Sequence, residues 1–405
     1  MECAVAGQYR ELFSAKGSLA FSAAGLLARI PVPMMGIGII TMLARTRGDY
    51  GLAGLVSAAF TLSMALLGPQ VSRLVDRRGQ GRILMPVTGI SVLAIGALLL
   101  CARFGAPDWT LFVCAVLGGF MPSMAAMVRA RWSALYRGSP RLHTAFALES
   151  VVDELTFVIG PALSVALCSI VFPEAGPLLA VVLLAVGVLL FVSRRETEPR
   201  VLPPSGAAGS SAIRLGAVRV LVLTLVAGGV IVGAVDVVSV AFAGAVGSPS
   251  AAGVVVSVYA VGSAISGLAF GTLKLTIAPP RLLLIGTAGT AASAVPLLAV
   301  DGIIGLCAVV FVAGLFFSPT MIVVMGMIEK IVPAEKLTEG MTWAITGLSI
   351  GVALGAAVSG EAVDRFGPDG GFAVAVVAGG LIILIALLSY PLLTRKTTTR
   401  EEAAC

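Results

Sequence analysis

The chain reads as long apolar runs parted by short polar breaks. Leu178–Val192 and Phe372–Leu388 carry no charged residue. A helix that crosses a bilayer needs about 20 apolar residues. Twelve windows meet that need: 18–44, 51–75, 83–102, 109–130, 145–171, 177–193, 217–244, 252–274, 281–300, 303–328, 340–362 and 372–393. A transmembrane β-barrel would instead alternate polar and apolar residues in segments of about 10. One break is different. Residues 194–216 are rich in Pro, Gly, Ser and charge, and they read as a linker. The expected fold is an all-α membrane protein of twelve transmembrane helices. It has two six-helix halves, residues 1–193 and 217–405, joined by the linker at 194–216.

Composition agrees. Of 405 residues, 58% are hydrophobic and 12% charged, against about 25% charged in soluble domains. Mean hydropathy is +1.04. A water-facing enzyme surface cannot be built from this, and no nucleophile–base pair, metal-ligand cluster or phosphate-binding loop is present. No cofactor is expected. The 48 glycines predict close backbone packing between helices. The six cysteines are scattered, without C-x-x-C, and read as small apolar helix residues or loose termini rather than disulfide or metal groups. The first apolar run is too long for a signal-peptide core of about 7–15 residues, so it reads as an anchoring first span.

Charge sets the orientation. With the N-terminus cytoplasmic, 22 of the 27 Lys and Arg fall in cytoplasmic segments. Four fall outside (Arg45, Arg47, Arg103, Arg365), and Arg29 lies within the first span. The net charge of +6 is thereby explained without a nucleic-acid partner. Both termini are expected in the cytoplasm. The preference for Arg over Lys points to a bacterial inner membrane.

The halves also repeat. A shift of 199 residues lays Gly54, Gly68 and Arg82 on Gly253, Gly267 and Arg281. A shift of 195 lays Gly160, Ser164, Pro173 and Gly176 on Gly355, Ser359, Pro368 and Gly371. Two parallel copies imply a pseudo-twofold axis along the membrane normal, with a substrate cavity where the copies meet.

The loop expected after the second span reads GPQVSRLVDRRGQGRIL, Gly68–Leu84. It resembles the signature of the major facilitator superfamily between helices 2 and 3, G-x-L-a-D-r-x-G-r-k. Leu74, Asp76, Arg77 and Gly79 match, with Gly68 one turn upstream. Ser72 replaces the first glycine, and Gln80 and Gly81 replace the two basic residues, with Arg82 following. The resemblance implies a cytoplasmic latch in which Asp76 pairs with Arg129 or Arg131 and faces the helix start near Thr338–Thr342. The alternative is that Arg77, Arg78 and Arg82 serve only as orientation signals. Leu275 and Thr276 stand at the corresponding positions of the second half. In helix 5, Gly160-Pro161 resembles the core of the motif of bacterial drug/proton antiporters, whose flanking glycines are here Thr156, Ser164 and Val165.

Charges within spans are sharper clues, because each costs at least ~2.5 kcal/mol at mid-bilayer. Arg29 lies in the first span, and Glu149, Asp153 and Glu154 lie in the fifth. Arg29 and Asp153 sit at matched depth, roughly 12–17 Å from the cytoplasmic ends by helical rise. Either Asp153 or Glu154 exchanges a proton for substrate, with Arg29 as the group whose displacement toggles it, or the pair is a fixed structural one. Glu149, nearer the helix start, is either a further candidate for that role or a simple complement to the helix dipole. Asp236 is the acidic residue well inside the second half. By the resemblance, helices 1, 4, 7 and 10 line the cavity. Its candidate lining is Met34, Met35, Phe120, Met121, Met124, Phe316, Phe317 and Met321. These are adaptable apolar contacts, or plain packing. In mid-membrane the spans hold almost none of the Asn, Gln and Trp groups that a sugar site would need: Gln70 is near a helix end, and Trp132 and Trp343 are near the cytoplasmic face.

The expected function is secondary active transport by alternating access: proton-coupled efflux, as antiport, of a small amphipathic or hydrophobic compound such as a drug or natural product. The partners are this small molecule, protons and the lipid bilayer, and the working unit is a monomer. Proton-coupled import of a small solute is the alternative, and a sensor or lipid-handling protein of the same fold is a third reading. Reporter fusions at Ser205 and at the C-terminal tail should report the same side of the membrane. Opposite sides would overturn the twelve-span topology.

Overall fold

The computed structural model describes residues 2–48, 50–201, 211–248, 251–273 and 277–402. Leu275, Thr276, Ser205 and the middle of the linker lie outside the described residues. Every regular element among the described residues is helical. In chain order they are α1 (Glu2–Leu12), α2 (Ser18–Arg29), α3 (Pro31–Arg47), α4 (Tyr50–Arg78), α5 (Gln80–Arg103), α6 (Asp108–Gly118), α7 (Met124–Tyr136), α8 (Arg141–Ile170), α9 (Ala175–Ser193), α10 (Gly216–Ala245), α11 (Ala251–Thr272), α12 (Pro279–Ala294), α13 (Ile303–Ile331), α14 (Leu337–Phe366) and α15 (Pro368–Glu402).

Eleven stretches among the described residues are long and apolar enough to cross a membrane. The expected twelfth, at 109–130, is two helices, α6 and α7, parted at 119–123. The cause is local. Gly118 and Gly119 weaken the helix, and Pro122 removes an amide donor and clashes with the preceding turn. The first span is also interrupted. Pro31 and Pro33 withdraw the amides that would bind the carbonyls of Leu27 and Arg29, so α2 ends at Arg29 and α3 begins at Pro31. The segment after the second span is a correction of another kind. It is not a loop: α4 carries the motif residues to Arg78, and Gly79 alone, at φ 91°, turns the chain into α5. Only glycine adopts that backbone freely.

The described residues gather into two compact units. One holds residues 10–137 and 155–208, and the other holds 1–9, 138–154 and 209–405. The first half of α8 thus packs with the helices of the second half of the chain.

Each unit is held by backbone-close packing. In the second, a Cβ on Gly351 would lie 2.1 Å from the Val226 carbonyl oxygen, and one on Gly233 would lie 2.0 Å from that of Val352. Gly229, Gly347 and Gly355 continue this seam between α10 and α14. Without a hydrophobic drive between helices in lipid, such close approach supplies the dispersion contacts. The repeat is visible here. Gly160 of α8 faces Pro33 and Met34 of α3, while its counterpart Gly355 faces Val230 of α10. Ser164 and Ser359, also counterparts, are both fully buried.

The four arginines that the charge pattern places outside are all partnered. Arg45 donates to the carbonyls of Cys168 and Ser169, each at 2.9 Å, and caps the end of α8. Arg47 donates to the carbonyls of Cys101 (2.9 Å) and Ala106 (2.6 Å) at the end of α5. Arg103 pairs with Glu174 at 3.6 Å, and Arg365 with Glu361 at 2.5 Å. Two of the four are helix caps, where a cation complements the dipole.

Gly351→Leu should lower stability by about 1–3 kcal/mol or more through overpacking. Gly360→Ala, where a Cβ meets nothing within 4 Å, should be neutral or slightly stabilising. Thermal unfolding in detergent distinguishes them, and equal melting temperatures would remove the seam as a determinant.

Candidate functional site

Three of the sequence-expected carboxylates converge in the unit containing α10–α15. Ser263, on α11, donates from Oγ to Glu154 Oε1 at 2.9 Å. The Glu154 carboxyl is within electrostatic reach of Asp153 on its own helix and of Asp236 on α10. Tyr259, one turn from Ser263, brings its phenol within reach of both Glu154 and Asp236. Its ring rests against Phe317 of α13, centroids 6.0 Å apart. Gly314 permits this, since a Cβ there would lie 2.3 Å from the Tyr259 carbonyl oxygen. Glu154, Asp153, Asp236 and Tyr259 are half-buried, whereas Glu149 is enclosed. The described Lys and Arg of this unit lie at or near helix ends. The result is a mid-span cluster of carboxylates and hydroxyls that can take a proton or a cation. Ser263 and Tyr259 were not singled out in the sequence, where hydroxyl residues inside spans are common.

Arg29 lies in the other unit, 3% exposed at the last residue of α2. The Phe21 and Trp132 rings are 4.7 Å apart, and a Cβ on Gly25 would strike Val128. This antiparallel register sets Arg29 level with Met124, so the breaks in the first and fourth spans lie at one depth. Two serines bind carbonyls at the second break. Ser63 donates to Val116 O at 2.7 Å, and Ser91 to Gly118 O at 2.5 Å. Of the expected lining, Met34, Met35, Met121, Met124 and Met321 are buried in their units. Phe120, Phe316 and Phe317 are half-buried. Phe316 packs on Gly289, away from Tyr259.

The motif region binds the linker. Arg131, fully buried, donates from Nε to Gln80 Oε1 and from Nη1 to the Arg194 carbonyl and Thr197 Oγ1, all at 2.8 Å. Its guanidinium stacks 3.7 Å over the Phe191 ring. Gln80 donates onward to Met127 O at 3.1 Å. Glu198 accepts the Gly81 amide at 2.8 Å, at the positive start of α5. Of the two expected partners of Asp76, Arg131 therefore holds Gln80 and the linker instead. Arg129 is fully buried, and Asp76 is half-buried on the last turn of α4, with Arg77 and Arg82 exposed or nearly so. At its far end the linker meets α14: Ser211 and the Ala212 amide both donate to Glu339 Oε1, the latter at 3.0 Å.

A third set of contacts closes the end of α11. Thr144 donates to Gly271 O, His143 Nε2 meets Phe270 O, and Tyr9 OH donates to Leu268 O, each at 2.8 Å. Burial pushes the Tyr9 phenol up to about 12, so it remains a donor. Ala147 and Val151 of α8 pack on Gly271 and Gly267 of α11.

The family model described as Major Facilitator Superfamily matches residues 18–245 and 237–404. No curated protein matches in sequence. Among solved structures, the human organic anion transporter MFSD10 is 13% identical, with a TM-score of 0.71, over 93% of this chain and 100% of that one. A bacterial homologue of the iron transporter ferroportin, outward-facing, is 14% identical, with a TM-score of 0.72, over 92% and 99%. FucP, a transporter in the outward conformation, is 14% identical, with a TM-score of 0.70, over 92% and 98%.

Arg131→Lys should cost about 1–3 kcal/mol, because a lysine cannot reproduce the fork and leaves buried acceptors unmet. Glu198→Gln should cost less, about 0.3–1 kcal/mol. Melting temperatures of the two variants should fall in that order, and the reverse order would contradict the linker dock.

Proposed function

The chain belongs to the major facilitator superfamily of membrane transporters, and we propose that it is a proton-coupled exporter of a small amphipathic or hydrophobic compound, such as a drug or natural product. It works as a monomer by alternating access between the halves 1–193 and 217–405. Both termini face the cytoplasm of a bacterial inner membrane.

The observation that carries this reading is the hydrogen-bonded Glu154–Ser263 pair with Asp236 and Tyr259 beside it. A carboxylate in mid-span is costly and is kept where it does work. Ser263 can donate to ionised Glu154 or accept from the protonated form, so one geometry serves both states. Where a proton and a cargo compete for the same carboxylates, neither crosses with the other bound, and exchange follows. Apolar surroundings such as Phe317 supply contact without demanding many polar groups of the cargo.

In this reading the α8–α11 clasp is cytoplasmic. Cargo entering from the cytoplasm then requires its three hydrogen bonds to open. Asp76 with Arg129, beside the linker dock, holds the closed form of that side, and Gly160-Pro161 lets α8 bend against Pro33.

Proteoliposomes with an imposed pH gradient test the reading. Screened hydrophobic compounds should move against the proton flux in the wild type. Glu154→Gln and Asp236→Asn should abolish the coupled flux, and Ser263→Ala should reduce it about tenfold, as expected for one hydrogen bond to a charged group. Coupled flux that persists in both acid variants would overturn the assignment of the carrier. Cargo moving in the same direction as protons would replace export by symport.

A further inference from the structure

The end of α11 is also held by the N-terminal helix. Tyr9, Leu12 and Phe13 stand at i, i+3 and i+4, so they share one stripe of α1 and the turn after it. Their contacts diverge. Tyr9 OH donates to the Leu268 carbonyl at 2.8 Å, and a Cβ on Gly271 would lie 2.6 Å from that hydroxyl, so glycine there makes room for it. Leu12 is fully buried, and its carbonyl accepts from Tyr136 OH of α7 at 2.8 Å. Phe13 meets the Trp132 ring, centroids 6.1 Å apart, and Trp132 stacks on Tyr136 at 5.8 Å. The boundary between the two units falls within α1, between Tyr9 and Arg10. Less than one helical turn, roughly 4.5 Å of rise from Tyr9 to Leu12, therefore separates an anchor on one unit from an anchor on the other.

We propose that α1 is a releasable strap: its C-terminal end stays on α7, and Tyr9 lets go of α11 whenever the clasp side opens. Alternating access moves the units against each other. Because α1 is continuous across their boundary and has no slack between its anchors, one anchor must yield. The two are unequal. The α7 anchor combines a buried leucine, three aromatic rings and a hydrogen bond. Tyr9 is half-buried and grips α11 through a hydrogen bond to one carbonyl. A single hydrogen bond is modest in net strength, because water takes its place on release. That suits a contact made and broken in every cycle. The strap thereby adds a barrier to opening that is set from α7, at a distance from the clasp itself. That this side opens, and that it is cytoplasmic, rests on the functional reading; the double anchorage does not.

The test is timed alkylation of the full-length protein in detergent, with Val151→Cys as the reporter in every sample. Val151 is buried against Gly267 in the clasp, and cysteine is the smaller side chain. N-ethylmaleimide is the probe, and peptide mass spectrometry separates the reporter from the six native cysteines. Tyr9→Phe should label about two- to tenfold faster, as the loss of one hydrogen bond predicts. Phe13→Ala with Tyr136→Phe changes only the α7 anchor, yet it should also speed labelling, since a strap fails at either end. Combining all three changes should add little, because the anchors act in series. Tyr136→Phe alone should act in the same direction, which covers a paired variant that does not fold. An unchanged rate in Tyr9→Phe, an unchanged rate in the α7-anchor variants, or effects that multiply on combination would overturn the strap. Labelling uses neither cargo nor a proton gradient. Its failure would leave the assignment of the acids standing, and a failed flux assay would leave the strap standing.

Discussion

Hydrocarbon offers a backbone no hydrogen bonds, so every carbonyl or amide released from a helix must be answered by the protein itself. Much of this molecule follows from that. Where Pro122 divides the fourth span, Ser91 reaches in from α5 to the Gly118 carbonyl that the missing amide leaves free, and Ser63 of α4 adds a bond to Val116 O. Where α8 and α5 end, Arg45 and Arg47 supply the donors. Where α11 ends, Tyr9, His143 and Thr144 do so. Each answer comes from a different helix, so satisfying the backbone also fixes which helices are neighbours.

The same constraint concentrates ionisable chemistry. Asp153, Glu154 and Asp236 belong to one unit, and Arg29 belongs to the other. Two hydroxyl residues, Ser263 and Tyr259, lie beside Glu154. Arg29 is enclosed at a helix break, where an arginine keeps its charge. The two units thus contribute different chemistry to a fold whose backbone is a repeat.

The fold was largely legible in the sequence because its signal, runs of about 20 apolar residues, is additive and local. The duplicated glycines were legible too, and Gly160 and Gly355 do occupy equivalent seams. The fourth span misled because its hydropathy stays high through Gly118, Gly119 and Pro122, and hydropathy does not register a missing amide. The acids of the site stood out by their cost. Ser263 and Tyr259 did not, since their importance comes from what faces them across another helix. Gln80 and Gly81 looked like defects in a motif. In the fold, Gln80 orients Arg131, and Gly81 leaves room for Glu198, so the departures build a linker dock. Capping by a side chain over a hundred residues away carries no local signature.

The caps that Arg45 and Arg47 supply bear on how the chain is made. Arg45 ends the first span, but the carbonyls it binds belong to α8, 123 and 124 residues further on. Arg47 finds Cys101 and Ala106 after 54 and 59 residues. As spans leave the ribosome one by one, Arg47 is satisfied when the third arrives, while Arg45 waits for the fifth. The assembly of this unit is therefore ordered in time, with the end of α3 fastened first to the end of α5 and only later to the end of α8.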